Sequence, residues 1–270
     1  MFGHVRRIGI VAVAAVALSI GLAGCVGQGG SSPNPDQLHQ QAQADLSRWA
    51  DAVASLGPST FVPVGDLTGQ VGDWEESVGG NNKSIPLPAQ YADWEQVLLD
   101  IDPRGNPDVV CDARELSKLP GASYDSIYCS HNLEHYHRHD VAKVVAGFCY
   151  LLKPNGFAFV RVPDMHELMQ TVVQKNLDID DVLYQAPVGP ILVRDVIYGY
   201  GREIEESGND FYAHKTGFTQ KSLRSALIAG GFPVVFAGSG NLEVTALALK
   251  AAPSDYVASL FKLQGGERTS

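Results

Sequence analysis

Cysteine is scarce. The 270 residues hold four, Cys25, Cys111, Cys129 and Cys149, and no two have the close spacing of a zinc ribbon. If Cys25 is lipidated an odd number remains, which excludes a full disulfide framework. The other three lie in apolar runs where a free thiol acts as a small buried hydrophobe. Basic residues are also few, 20 against 30 acidic ones, for a net charge of -10. A nucleic-acid groove built on broad electrostatics is thereby excluded, because phosphate binding needs clustered Lys and Arg. Apolar runs long enough to span a bilayer are missing, since the longest candidate, Ile8 to Ala23, is too short for a typical spanning helix. The metalloprotease pattern H-E-x-x-H is absent as well.

What is present is concentrated between Val97 and Asp164. Val97-Leu98-Leu99-Asp100, Val109-Val110-Cys111-Asp112 and Asp125-Ser126-Ile127-Tyr128-Cys129-Ser130 are short apolar runs, and the first two end in aspartate. A helix pattern follows, capped by Asp140, with Val141, Val144, Val145, Phe148, Leu151 and Leu152 on one face. After the turn Lys153-Pro154-Asn155-Gly156 comes a fourth run, Phe157 to Val162. Such runs, with a helix between the last two, predict buried strands of a parallel sheet. In such sheets ligands bind beyond the carboxyl ends of the strands, so carboxylates leaving there would face a crevice. Between Asp102 and Asp108 only Pro103 to Pro107 intervene, less than a parallel crossover needs. Either those strands lack the usual connection, or the segment is a trimmed variant.

The order of these motifs resembles a class I S-adenosylmethionine-dependent methyltransferase from about Val78 to Lys250. The residues carrying the likeness are Leu99-Asp100-Ile101-Asp102-Pro103, Cys111-Asp112-Ala113 leading to Leu119-Pro120, Tyr124 through His135, and Leu151-Leu152-Lys153-Pro154-Asn155-Gly156-Phe157. The resemblance implies an α/β fold, a Rossmann-like sheet with helices on both faces, and S-adenosyl-L-methionine as cofactor. It implies that Asp100 accepts from the ribose hydroxyls, with Asp102 as the alternative one step out of register. It further implies that Asp112 accepts the adenine amino group beside the Ala113 backbone, and that Ser130 and His131 line the crevice near the transferring methyl. The family's glycine-rich G-x-G-x-G loop after the first strand is missing. Gly79 and Gly80 stand as its remnant, so that strand is expected to be degenerate or absent. Phe61-Val62-Pro63-Val64-Gly65 is a substitute that Pro63 restricts to an edge or a bulge.

Upstream the chain reads differently. Arg6-Arg7, the apolar run and Leu22-Ala23-Gly24-Cys25 look like a bacterial lipoprotein signal over residues 1–25, with Cys25 as the lipidated residue and membrane anchor. An uncleaved anchor is the alternative. Residues 26–35 form a Gly-, Ser- and Pro-rich tether. Residues 36–77 hold a helix, Asp36 to Leu56, and a stretch, Phe61 to Glu75, that resembles secreted bacterial lipoproteins. A fusion joint near Val78 to Lys83 reconciles the two resemblances. Residues 78–250 form the methyltransferase-like domain and 251–270 a tail.

His131, His135, His137 and His139 cluster with Glu134 after the third run. Imidazoles this close can converge on a metal, but no second ligand cluster appears in the sequence and none is assigned. His131 and His214 are the candidates for a general base, since histidine titrates near neutrality. Between Met165 and Tyr212 the chain reads as helical or looped. Thr219 caps a helix ended by Gly230-Gly231, and Val234 to Ala237 and Leu242 to Leu249 read as a closing antiparallel pair. Two functions are compatible with these features. One is a methyltransferase of a small-molecule acceptor. The other is a membrane-anchored lipoprotein whose methyltransferase-like fold is a non-catalytic binding module.

Overall fold

The computed structural model describes residues 8–12, 87–92, 94–103, 106–186 and 188–263. The strands of its main sheet are β1 (Ile8–Ala12), β2 (Glu95–Asp100), β3 (Val109–Val110), β4 (Tyr124–Ser130), β5 (Leu152–Pro163), β8 (Val234–Gly240) and β9 (Glu243–Leu249). A separate antiparallel hairpin is made of β6 (Val182–Ala186) and β7 (Gly189–Leu192). The helices are α1 (Arg138–Leu151), α2 (Met165–Lys175), α3 (Val193–Tyr198), α4 (Gly201–Ser207), α5 (Gln220–Ala229) and α6 (Asp255–Leu260).

The seven-stranded sheet has the order β3-β2-β1-β4-β5-β9-β8. β1 to β5 run parallel, and β9 lies antiparallel between β5 and β8. Successive residues of β2, β4, β5 and β9 enter different cores. Leu99, Ile127, Cys129, Ala158, Val160 and Ala246 pack on one face with Val144, Phe148, Leu223 and Leu227 of α1 and α5. Leu98, Tyr128, Phe157, Phe159, Leu247 and Leu249 pack on the other with Tyr91, Val257 and Phe261. A strand buried on both faces reads as a continuous apolar run because the period-two alternation has no polar side.

Several expectations hold. The apolar face of α1 is buried as its spacing predicts. The Thr219 side chain accepts from the backbone N–H of Ser222 at the start of α5. At that helix's other end Gly231 has φ 110°, and a Cβ on Gly230 would collide with Val145 of α1. The closing pair is the β8–β9 hairpin. The fold class is α/β, as expected.

Other expectations are corrected. The first strand is not missing. Ile8–Ala12, inside the run expected to be a signal segment, pairs with Glu95 to Leu99 on one side and Ser126 to Cys129 on the other. A run of apolar and small residues suits a strand ordered by neighbours on both sides as well as it suits a membrane signal. A chain cleaved before Cys25 would lack this strand. The cap of α1 is His137 rather than Asp140, because the Asp140 N–H already bonds the His137 carbonyl at 2.8 Å. Lys153 to Gly156 is an irregularity inside β5. Leu152 pairs with Tyr124 but Phe157 with Ser126, and the excess residues bulge out. β2 and β3 are adjacent and parallel although the link is short. β3 has two residues and meets only the end of β2, Leu99 and Asp100, so the chain has little distance to return. The segment after Met165 includes an unexpected hairpin, β6–β7. The expected tail supplies α6, and Phe261 lies edge-on to Phe157 with ring centroids 5.2 Å apart.

The expected tether, the Asp36 to Leu56 helix, Phe61 to Gly65, Gly79, Gly80 and Cys25 lie outside the described residues. Among the described residues, no helix is long and apolar enough to cross a membrane.

Ile10 sits between two parallel neighbours, so Ile10→Pro removes a ladder hydrogen bond and introduces a clash in mid-sheet. We expect a loss of stability of at least about 1–3 kcal/mol, the cost of leaving the facing carbonyl without its partner, measured by denaturant melts of the chain carrying residues 1–25. An unchanged midpoint would show that the sheet does not need this strand.

Candidate active site

The strand order reverses between β1 and β4, because the chain fills one side of β1 with β2 and β3 before β4 takes the other. The carboxyl ends at such a reversal form the ligand crevice of an open parallel sheet. β2 ends there at Asp100 and β4 at Ser130. Buried side-chain oxygens without a hydrogen-bond partner gather at this edge. Among the described residues they are Asp100 Oδ2, Ser130 Oγ, Asn132 Oδ1 and both oxygens of Glu134. Native proteins satisfy nearly all such groups, so a cluster of exceptions on one sheet edge marks a binding site.

Asp100 is fully buried. Its Oδ1 accepts from the Asp102 N–H at 2.7 Å. Burial pushes its pKa up to about 7; that hydrogen bond opposes the rise, and the neighbouring Asp102 charge adds to it. Asp102, the alternative acceptor, is also buried, and here its backbone orients Asp100. Asp112 is placed differently from expectation. It caps the 3-10 turn Ala113–Lys118, accepting from the Arg114 N–H at 2.8 Å. It also pairs with the Arg114 guanidinium, Nη2 to Oδ2 at 2.6 Å. Both of its oxygens are therefore engaged, whereas Asp100 keeps one open. Ala113 is buried at the start of the turn. The buried Tyr136 phenol is shifted up, by burial first and then by the charges of Asp112, Cys129 and Asp100. One ring thus lies within electrostatic range of both carboxylates.

Beyond Ser130 the backbone turns sharply, with His131 at φ 48° and its N–H donated to the Arg161 carbonyl at 2.9 Å. His131 Nε2 bonds Glu243 Oε1 at 2.8 Å, and Arg161 holds Oε2 of the same carboxylate at 2.7 Å. Burial lowers the His131 pKa, but Glu134 and Glu243 outweigh it and hold it at about 9. His131 Nδ1 is 3.3 Å from Glu134 Oε1 but lacks the alignment of a hydrogen bond.

His214, far away in sequence, joins this group. Its ring lies edge-on to His135 with centroids 4.9 Å apart, and burial lowers its pKa. Burial likewise lowers His135, to about 4. Both general-base candidates, His131 and His214, therefore flank Glu134. His137 and His139 stack on each other outside the group, with centroids 5.6 Å apart. Sequence reading noted Glu134 within the histidine cluster without assigning it a role, and missed Glu243, Arg161 and Asn132 as site residues. Glu243 and Arg161 did leave a signal, a charge set at or inside an apolar strand.

With that geometry in hand, comparison with known proteins is informative. Residues 84–160 match the model of a methyltransferase domain. The match runs from just before β2 into β5, the elements that carry Asp100, Asp112, Ser130 and His131. No curated protein sequence matches the chain. Among solved structures, a possible exported protein from Bordetella parapertussis is 17% identical with a TM-score of 0.38, over 60% of this chain. The chain spans only 56% of that protein's length. A SAM-dependent methyltransferase from Archaeoglobus fulgidus is 15% identical with a TM-score of 0.36, over 58% of this chain and 76% of its own. The Burkholderia thailandensis 1,6-didemethyltoxoflavin-N1-methyltransferase, solved with S-adenosylhomocysteine, is 15% identical with a TM-score of 0.38. That alignment covers 84% of this chain and 93% of the other. These are distant likenesses.

The Asp100 shift makes a stability prediction. A carboxyl whose folded pKa is raised contributes most to stability below its unfolded pKa, near 4, and that contribution is lost as pH rises through about 7. Asp100→Asn keeps the acceptor for the Asp102 N–H and cannot ionise. The variant should match the wild type near pH 4 and exceed it by a few kcal/mol at pH 8. Urea melts at the two pH values check this.

Proposed function

We propose that this chain is an S-adenosylmethionine-dependent methyltransferase acting on a small molecule. The observation that carries the reading is the buried, open Oδ2 of Asp100, at the carboxyl end of the strand beside the order reversal. The match of residues 84–160 to a methyltransferase domain supports it independently.

The residues present fit the donor. A carboxylate with one oxygen held by a backbone N–H and the other open is a suitable acceptor for the ribose hydroxyls. Ser130 and Asn132, with their unpartnered oxygens, line the same edge. Asp112 orders the turn that carries Ala113; it would have to release Arg114 before accepting an adenine amino group. When bound, the sulfonium supplies an activated methyl group. The protein's own contribution is to align acceptor and donor and to exclude water, which needs few catalytic side chains. The acidic surface balance and the small crevice groups favour a small molecule over nucleic acid.

Titration calorimetry with S-adenosylhomocysteine tests the reading. Asp100→Ala removes hydrogen bonds to a charged group and should weaken binding roughly 10- to 100-fold. Asp102→Ala should cost less, because its N–H remains. Affinity should rise roughly tenfold from pH 6 to pH 8 as Asp100 ionises, and the rise should vanish in Asp100→Asn. No heat at any pH from the folded chain would remove the assignment.

A further inference from the structure

We propose that Glu134, His135 and His214 bind a divalent transition-metal ion of the zinc or ferrous type. One ligand atom from each of the three lies within 4.8 Å of the others. Metal bonds of about 2.0–2.2 Å place ligand atoms about 3–3.5 Å apart, so the three need to close by an ångström or so.

Both imidazoles have their tautomer fixed by a backbone carbonyl. His135 Nδ1 faces the Ala213 carbonyl at 3.2 Å and His214 Nδ1 faces the Val196 carbonyl at 2.9 Å. A carbonyl oxygen only accepts, so each ring must carry its proton on Nδ1, which leaves the Nε2 lone pair available. Fixing the tautomer of a ligand histidine through its other nitrogen is the usual outer-sphere arrangement of metal sites. The carboxylate supplies an independent sign. Glu134 is 1% exposed; its Oε1 lies 3.3 Å from His131 Nδ1, and neither oxygen has an aligned hydrogen bond. The neighbouring Glu243 differs, because Arg161 and His131 satisfy it. The His131 ring pairs with the Glu134 carboxylate through Oε1, and a metal ligated by Glu134 would offset the rest of its burial cost.

The segments bearing the ligands are also tied together. The Glu134 carbonyl accepts from the N–H groups of Lys215 at 2.7 Å and Thr216 at 3.1 Å, which seats His214 over the turn after β4. Two imidazoles and one carboxylate suit zinc or ferrous iron. Calcium and magnesium prefer all-oxygen shells. Three protein ligands leave at least one coordination position open.

The test uses the full-length, untagged chain after dialysis against a chelator, with Zn2+ as the probe. Equilibrium dialysis with elemental analysis should find about one Zn2+ per chain. Glu134→Gln and His214→Asn should each weaken binding by at least the roughly 10- to 100-fold that outer-sphere changes cost, with circular dichroism confirming that they fold. Should either variant not fold, the visible spectrum of the Co2+-loaded wild type decides. Nitrogen and oxygen ligation without thiolate charge transfer supports the site, and a thiolate band overturns it. A folded wild type that takes up no stoichiometric Zn2+, or variants that bind it unchanged, also overturns the proposal. None of these readouts depends on methyl transfer.

Discussion

The two-sided parallel pairing of β1 is the constraint on which the rest of the structure depends. β2 and β4 do not pair with each other; each pairs in parallel with Ile8–Ala12. This inserted strand sets the spacing between Asp100 and Ser130 and creates the order reversal that leaves a crevice between them. The same residues are apolar enough to read as a membrane signal. A chain that keeps Ile8–Ala12 paired on both sides in this sheet retains the segment that cleavage before Cys25 would remove.

Around that crevice the protein leaves buried polar groups with unequal provision. Asp112 is fully engaged by Arg114, and Glu243 by Arg161 and His131, whereas Asp100 keeps one oxygen open and Glu134 has the His131 ring 3.3 Å away without an aligned hydrogen bond. An unpaired polar atom in a low-dielectric interior costs more than a paired one gains. Its persistence at one sheet edge is better explained by ligands than by stability. The raised pKa of Asp100 and the lowered ones of His135 and His214 share one first cause, burial, and mark the same edge. Perturbed groups in a cleft are a recognised sign of function.

Much of the fold was legible because it is locally encoded. The helical spacing of Val141, Val144, Val145, Phe148 and Leu151, the cap at Thr219 and the apolar runs of β4, β5 and β9 each depend on near neighbours in sequence. The aspartate ending β2 was legible for the same reason. Apolar runs buried on both faces hide which residues point to which core, and short strands such as β3 and the β6–β7 hairpin carry too few residues to produce a periodic signal. A bulge such as Lys153 to Gly156 has the composition of a turn and is resolved only by its partner strand.

By itself the sequence determined the α/β class, the main amphipathic helices and the positions of the acidic strand ends, because these follow from side-chain periodicity and turn chemistry along a few residues. Tertiary structure alone decided that Ile8–Ala12 is a central strand, that Arg114 occupies Asp112, and that His214 comes to rest beside Glu134 and His135. Each of these is a contact between distant segments or a choice among partners. Neither is written in local spacing; both are settled by which groups the closed core forces together.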